Sequence, residues 1–338
     1  MATQPAAKYG FERIIGNSTV MDSVFQRALA ASRSNTPVLI TGETGTGKEL
    51  LARAIHAYSR RQAHPFIAVN CAALPGELIE SELFGYRKGA FTGAYADCRG
   101  LFSAAQHGTL MLDEIGDLAA NVQAKLLRVL QNSEVRPVGA LEGQIVDVRV
   151  IAATNRSIQE LRNGVLRPDL FFRMSVLVIE MPPLRERLGD VPSLIDFFLE
   201  RYRGCGENNL HSIEPDALDL LTQYAFPGNI RELENFVHSL AATLCPEQET
   251  IKKGDVKCWM RRQGLRQIDL EDAGGLPLNL KQLENWAIQT AIQRSKGIKS
   301  RAATLLGISR DSLYRKLHEM DGNIEKSKIV RVSDRMGI

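Results

Sequence analysis

PVLITGETGTGKE, residues 37–49, decides the fold. Residues 37–41 are a short apolar run that reads as a buried strand, and a glycine-rich loop follows (Gly42, Glu43, Thr44, Gly45, Thr46, Gly47). Lys48–Ser59 then reads as a helix with Leu50, Leu51, Ala54 and Ile55 on one side. Glycines at 42, 45 and 47 let backbone N–H groups turn inward at phosphate oxygens, and the helix adds its positive N-terminal dipole. Lys48 carries charge to the outer phosphates. Glu49 stands where such loops usually place a hydroxyl that ligates Mg2+. A strand before and a helix after separate this loop from a chance glycine turn.

Working outward, TLMLDE (Thr109–Glu114) is an apolar strand that delivers two carboxylates at its end. Ligands of open α/β sheets sit at that edge. Asp113 is expected to hold Mg2+, directly or through water, and Glu114 to polarise the attacking water. Further apolar runs occur at Phe66–Val69, Val148–Ala153 and Val176–Ile179, with helical patterns such as Asn121–Gln131 between them. That alternation predicts a parallel α/β sheet with buried strands. At PPLRER (Pro182–Arg187) the pattern shifts to helices, at Val191–Tyr202, Pro215–Tyr224 and Asn229–Leu244. The expected division is a tail at 1–10, an α/β subdomain at 11–184 and an all-helical subdomain at 185–260. A linker at 261–277, a helical unit at 278–322 and a polar tail at 323–338 follow.

The 338 residues are 44% apolar and 24% charged, an ordinary globular balance. No apolar run reaches the ~18 residues of a membrane span, and the start lacks a secretory apolar region. Five widely spaced cysteines without a CxxC argue against a disulfide framework or zinc site, and a reducing cytoplasm is the expected location. Net charge is only +3, yet residues 296–318 carry six cations against Asp311. Charge alone leaves open a polyanion-binding surface or a solvated helix face. The pattern adds more. Residues 296–320 read as two helices around Gly307, packed by Ala302, Ala303, Leu305 and Leu306 in the first and Ile308, Leu313 and Leu317 in the second. Ser309 suits the second N-cap. Arg310, Ser312, Arg315 and Lys316 then face a DNA groove, with Ser300 and Arg301 at phosphates. This packing resembles a Fis-type helix-turn-helix, with a helix near residues 280–294 as dimer element.

GETGTGKE, FIAVNCAAL, ESELFG, GAFTGA, HGTLMLDEIG, IAATN, PPLRER and PGNIRELEN occur in this order over roughly residues 11–245. Together they resemble the ATPase domain of bacterial sigma-54-dependent transcription activators. The resemblance implies an AAA+ P-loop ATPase domain with a helical lid, using ATP and Mg2+ and working as a ring, usually a hexamer, here assembled from dimers. Glu49 fits that family. Asn70 would restrain Glu114, Thr154 and Asn155 would sense the γ-phosphate, and Arg231 would contact the bound nucleotide's phosphate. Arg167 and Arg173 would act on a neighbouring subunit's nucleotide. Ile14–Asn17, with Ile15 among them, would line the adenine pocket. LRPDLFFRM departs from the usual FRxDLYYRL, and Pro168 restricts the backbone of Arg167.

GAFTGA itself (Gly89, Ala90, Phe91, Thr92, Gly93, Ala94) ends a helix-plus-loop segment whose glycines permit tight turns and leave Phe91 and Thr92 prominent. In the family this loop contacts sigma-54 and moves with the nucleotide, although Tyr86 and Arg87 here replace a common His-Glu pair. The expected function is an activator that binds upstream enhancer DNA and remodels the closed complex of sigma-54 RNA polymerase holoenzyme with ATP. Two rival readings stand beside it: a DNA-binding regulator of ordinary polymerase, disfavoured by the intact GAFTGA, and an AAA+ remodeller of an unrelated protein, disfavoured by the C-terminal unit. About ten residues before the ATPase leave no room for a sensory domain, so control by a separate regulatory protein or by expression level is expected.

Overall fold

The computed structural model describes residues 14–203, 209–245, 247–262, 284, 287, 288, 290–292, 295 and 299–317. The tails expected at 1–10 and 323–338, most of the 261–277 linker and parts of the helices read at 280–294 and 296–320 lie outside the described residues. The chain divides into two compact units, Met1–Trp259 and Met260–Ile338.

Five parallel strands organise the first unit: β1 (Val38–Thr41), β2 (Phe66–Asn70), β3 (Thr109–Asp113), β4 (Arg149–Thr154) and β5 (Leu177–Glu180), in the order β2-β3-β4-β1-β5. Alternate side chains leave opposite faces of a strand. Val38, Ile40, Met111, Ile151 and Ala153 therefore join one core with α1 (Thr19–Ser32) and α2 (Lys48–Ala57). Leu39, Leu110, Leu112, Val150 and Ala152 join the other with α3 (Gly76–Phe84), α4 (Ala120–Asn132) and α5 (Pro168–Met174). Both faces of the central strands β1, β3 and β4 are covered, which is why those strands read as continuous apolar runs, while the edge strands β2 and β5 are only partly buried.

Register brings the chemistry to one edge. Thr41 lies beside Thr154, and Asn70 beside Asp113, at the carboxyl ends of their strands. In α2, Leu51, Ala54 and Ile55 are buried, but Leu50 is exposed, contrary to the sequence reading. Positions 51, 54 and 55 form an i, i+3, i+4 stripe, and Leu50 lies on its margin, about 40° beyond Ala54, where it meets solvent. Sequence reading also passed over α1, whose N-terminus is fixed from far away. The buried Asp190 carboxylate accepts the N–H groups of Asn17 and Ser18 (2.8 and 3.0 Å) and the Ser18 hydroxyl.

The segment beyond β5 forms α6 (Val191–Tyr202), α7 (Pro215–Thr222), α8 (Asn229–Thr243) and α9 (Lys253–Arg262). In α6, Val191, Leu194, Ile195, Phe198 and Leu199 recur at helical spacing and are buried. The region is not purely helical. Ser212–Ile213 and Thr250–Ile251, which lead into α7 and α9, pair as short parallel strands and so satisfy their backbone groups.

The second unit contains α10 (Lys299–Leu306) and α11 (residues 310–317), joined by Gly307 at φ +66°. Ala302, Ala303 and Leu313 bury with Ile288 and Ala291, and Leu306, Ile308 and Leu317 pack against them. Leu305, expected in this core, is exposed because it lies about 60° beyond Ala302, outside the arc that Ala302, Leu306 and Ala303 span.

Candidate active site, contact loop and DNA-binding helices

The loop between β1 and α2 bends through Gly45 and Gly47 at φ +81° and +99°. Gly45 has no alternative: a Cβ there would lie 2.3 Å from the carbonyl oxygen of Gly228. Lys48 begins α2 and is buried, donating to the carbonyls of Gly42 (2.8 Å) and Glu43 (3.2 Å). Its Nζ lies 3.9 Å from Glu114 Oε1. Burial lowers the Lys48 pKa, while Glu114 and Asp113 oppose that shift. Thr46 is buried with its hydroxyl on the Glu43 carbonyl (2.8 Å).

Glu43 in the loop and Glu49 in the first turn of α2 each have an arginine partner. Glu49 pairs with Arg53 on the exposed face of α2 (2.6 Å). Glu43 pairs with Arg185 (2.6 and 2.9 Å) and accepts from Asn229 (3.1 Å), and these hydrogen bonds lower its pKa. Two carboxylates that would repel a phosphate are thus held by cations.

Glu114 follows β3 at φ +52°, a left-handed conformation that costs a residue with a Cβ about 1–3 kcal/mol and tends to mark functional sites. Its Oε2 accepts the Asn155 backbone N–H (3.0 Å). Asp113 accepts the Glu114 N–H (3.1 Å). Asn70, expected to restrain Glu114, instead accepts from Ala72 N–H (2.9 Å); among the described hydrogen bonds none joins it to Glu114. Thr154 is buried and accepts from Arg156 N–H (3.1 Å). Cys71, next to this edge, is buried and its thiol pKa is pushed up to about 12, by burial first and then by Asp113. Ile14 is buried, and Ile15 and Gly16 are half-buried ahead of α1.

Arg231 in the first turn of α8 is exposed and close enough to the loop that its charge lowers the Lys48 pKa. Arg167 pairs with Asp169 (2.9 Å), and Arg173 donates to the Leu130 carbonyl (3.0 and 3.2 Å); both are exposed. Arg167 has ψ +137° and precedes Pro168, which starts α5. Sequence reading missed Arg187, which is buried and donates to the Thr46 carbonyl (3.0 Å), and Asn229, which is buried against Glu43 and Thr44. Both sit inside recognised motifs, but no spacing rule singles them out.

GAFTGA leaves the fold after α3 on a narrow base. Gly85–Tyr86 pairs antiparallel with Cys98–Arg99, and Gly89 N–H donates to the Ala94 carbonyl (2.9 Å). Gly89 and Gly93, at φ +82° and +111°, stand in open space. Phe91 is 44% exposed with one edge on the Tyr86 ring (centroids 4.9 Å apart), Thr92 is exposed, Ala90 is half-buried and Ala94 is buried. Arg87 and the Lys88 N–H both bind Asp97 across the base.

In α11, Ser309 caps by accepting the Ser312 N–H (3.2 Å). Arg310 and Arg315 are exposed and Ser312 is half-buried. Lys316, expected at the groove, turns to Glu284 in an ion pair. Ser300 and Arg301 are exposed on α10, and Tyr314, not anticipated, is exposed beside Lys299.

A phosphate loop with a buried lysine, facing a strand-end carboxylate pair in a five-stranded parallel sheet, defines a P-loop ATPase of the AAA+ class. The sequence matches the Sigma-54 interaction domain over residues 14–180, the AAA+ ATPase lid domain over 185–269 and the Bacterial regulatory protein, Fis family, over 279–320. The chain belongs to the sigma-54-dependent transcription regulators. It is 42% identical to Regulatory protein AtoC of Escherichia coli, over 90% of this chain and 67% of that protein. It is 43% identical to Transcriptional regulatory protein ZraR of Klebsiella oxytoca, over 93% and 69%. The crystal structure of NtrX from Brucella abortus in complex with ATP matches with a TM-score of 0.67 at 32% identity, over 91% of this chain and 69% of that one. The ADP complex matches with a TM-score of 0.68 at 32% identity, over 92% and 70%. Among the described residues no helix is long and apolar enough to cross a membrane.

Proposed function

We propose that this chain binds upstream DNA through its second unit and uses ATP hydrolysis in its first to drive the GAFTGA loop against sigma-54 holoenzyme, converting a closed promoter complex into an open one. The observation that carries the reading is the loop itself. Phe91 and Thr92 are displayed on glycine pivots at a narrow base, in a chain whose phosphate loop and carboxylates share one sheet edge. An exposed aromatic on a glycine-pivoted tip contributes little to folding and suits contact with a partner. Thr92→Ala is expected to leave ATPase activity within about twofold, as substitution of an exposed residue should, and to abolish open-complex formation. Full activation by that variant would remove the loop from the output.

The residue roles follow. Gly42–Lys48 hold the triphosphate of ATP, and Glu114 polarises water, poised by the Asn155 N–H. Among the described residues no cluster of His, Cys, Asp or Glu could hold a metal alone. Asp113 would therefore share Mg2+ with phosphate oxygens and water, the usual way this ion is bound. The ion would neutralise phosphate charge. Arg231 contacts phosphate from the lid, and Arg167 and Arg173 serve the neighbouring protomer of a hexameric ring. Both arginines are exposed, which suits that reading. We assign residues 11–184 to the α/β subdomain, 185–260 to the lid and 278–322 to DNA binding.

Arg310 and Arg315 are the exposed cations of α11. Arg315→Ala is expected to weaken specific DNA binding by about 1–3 kcal/mol. Unchanged affinity and sequence preference in a gel-shift titration would move the contact elsewhere.

A further inference from the structure

The turn that starts α8 contains two non-glycine residues at positive φ, Phe226 (+47°) and Asn229 (+54°), and both are wholly buried. Such conformations persist where the surroundings over-determine them. Phe226 is held on the lid side, its ring 4.9 Å from that of Tyr224, and its carbonyl accepts the Asn229 N–H (2.8 Å). Asn229 is held on the other side. Its Oδ1 accepts the Leu184 N–H (2.8 Å), and its Nδ2 donates to Glu43 Oε2 (3.1 Å) and the Thr44 carbonyl (3.0 Å). Both amide protons and an oxygen lone pair are spent on two segments distant in sequence.

Those segments are also joined to each other. Arg185, next to Leu184, forms a two-pronged ion pair with the same Glu43. The phosphate loop, the connection into the lid and the first turn of α8 thus form a closed circuit. Ile230 N–H adds a bond to the Gly45 carbonyl (3.0 Å), and Gly45 makes room for the Gly228 carbonyl. The lid base therefore rests on residues 43–45 of the loop. A shift of that backbone on phosphate binding would be passed to α8, which carries Arg231 two residues after Asn229.

We propose that Asn229 is a positioning residue whose side-chain amide makes the lid, and Arg231 with it, follow the state of the phosphate loop. The inference rests on the reading of Gly42–Lys48 as a nucleotide site. Without the amide, the lid retains its chain connection but loses its register with the loop.

The test is hydrogen exchange of the first-turn amides of α8 in the full chain, with ADP and with a non-hydrolysable ATP analogue, alongside steady-state hydrolysis. Asn229→Gly keeps the left-handed backbone and removes the amide. It is expected to erase the ATP-versus-ADP difference in exchange and to lower kcat about tenfold or more, with KM less affected. Asn229→Asp sets a carboxylate against Glu43 and should fail similarly. Asn229→Asp with Glu43→Gln restores a donor–acceptor pair with its polarity exchanged and should recover part of the exchange difference, which a merely structural role would not. Wild-type protein that binds no nucleotide would overturn the site reading and this inference together. Wild-type protein that binds and hydrolyses ATP, with an exchange difference unaltered in folded Asn229→Gly, would overturn this inference alone. Should Asn229→Gly fail to fold, absence of recovery in the double variant overturns it.

Discussion

Glu114→Gln is expected to bind ATP as the unaltered chain does and to lose about 10²–10⁴-fold in hydrolysis, the range a general base contributes. The expectation comes from placement. Glu114 holds a left-handed backbone conformation after β3, one carboxylate oxygen on the Asn155 N–H and the other 3.9 Å from Lys48 Nζ. Glutamine keeps the size and the acceptor for Asn155 but cannot take a proton from water. Nucleotide affinity, set by the loop backbone and Lys48, should stay within about threefold, since neither is altered. Calorimetric ATP titration and phosphate release measured on one preparation check both halves. Normal turnover would remove Glu114 from the chemistry.

The second large effect is expected between subunits. Arg173→Ala should lower hydrolysis by about 10³–10⁵-fold, the value of an arginine that stabilises charge on a transferring phosphoryl group. Arg173 is exposed on α5 and bonds only to the Leu130 carbonyl among the described contacts, so its removal spares the core. Mixing Arg173→Ala protomers with Lys48→Ala protomers should restore part of the activity. In a mixed ring, one interface type would pair an intact Lys48 loop with an intact Arg173. Absence of recovery at every mixing ratio would place Arg173 within its own subunit or outside the reaction. Arg167 is already paired with Asp169, so a smaller effect is expected there.

How much was legible in sequence depended on how local the cause was. The sheet was legible because the buried central strands β1, β3 and β4 and the partly buried edge strands β2 and β5 all leave apolar runs, and β1 is followed at once by its loop and helix. Helix faces were legible to within one position: Leu50 and Leu305 are apolar neighbours of buried stripes that turn outward. The two-strand pair in the lid was not legible, because Ser212–Ile213 and Thr250–Ile251 are too short to show periodicity. Within the site, the residues that line the loop and the end of β3 announced themselves by motif. The residues that hold the site in place did not. Asp190 caps α1 across 172 residues of sequence, and Asn229 reaches Glu43 across 186. Long-range hydrogen bonds carry no local pattern. The pairing of Glu43, Glu49 and Lys316 was hidden for the same reason, since each is oriented by a partner that the motif does not specify.

Hydrolysis at the Lys48–Glu114 site is expected to be spent on opening promoter DNA through sigma-54 holoenzyme. Purified protein, sigma-54 holoenzyme and a promoter carrying a verified binding site for this chain test it directly. Open-complex formation is followed by permanganate footprinting with hydrolysable ATP and with a non-hydrolysable analogue. The expected result is opening with ATP alone and a closed complex with the analogue. Equal opening with both nucleotides, or none with ATP while hydrolysis proceeds and added lysate restores nothing, would contradict it.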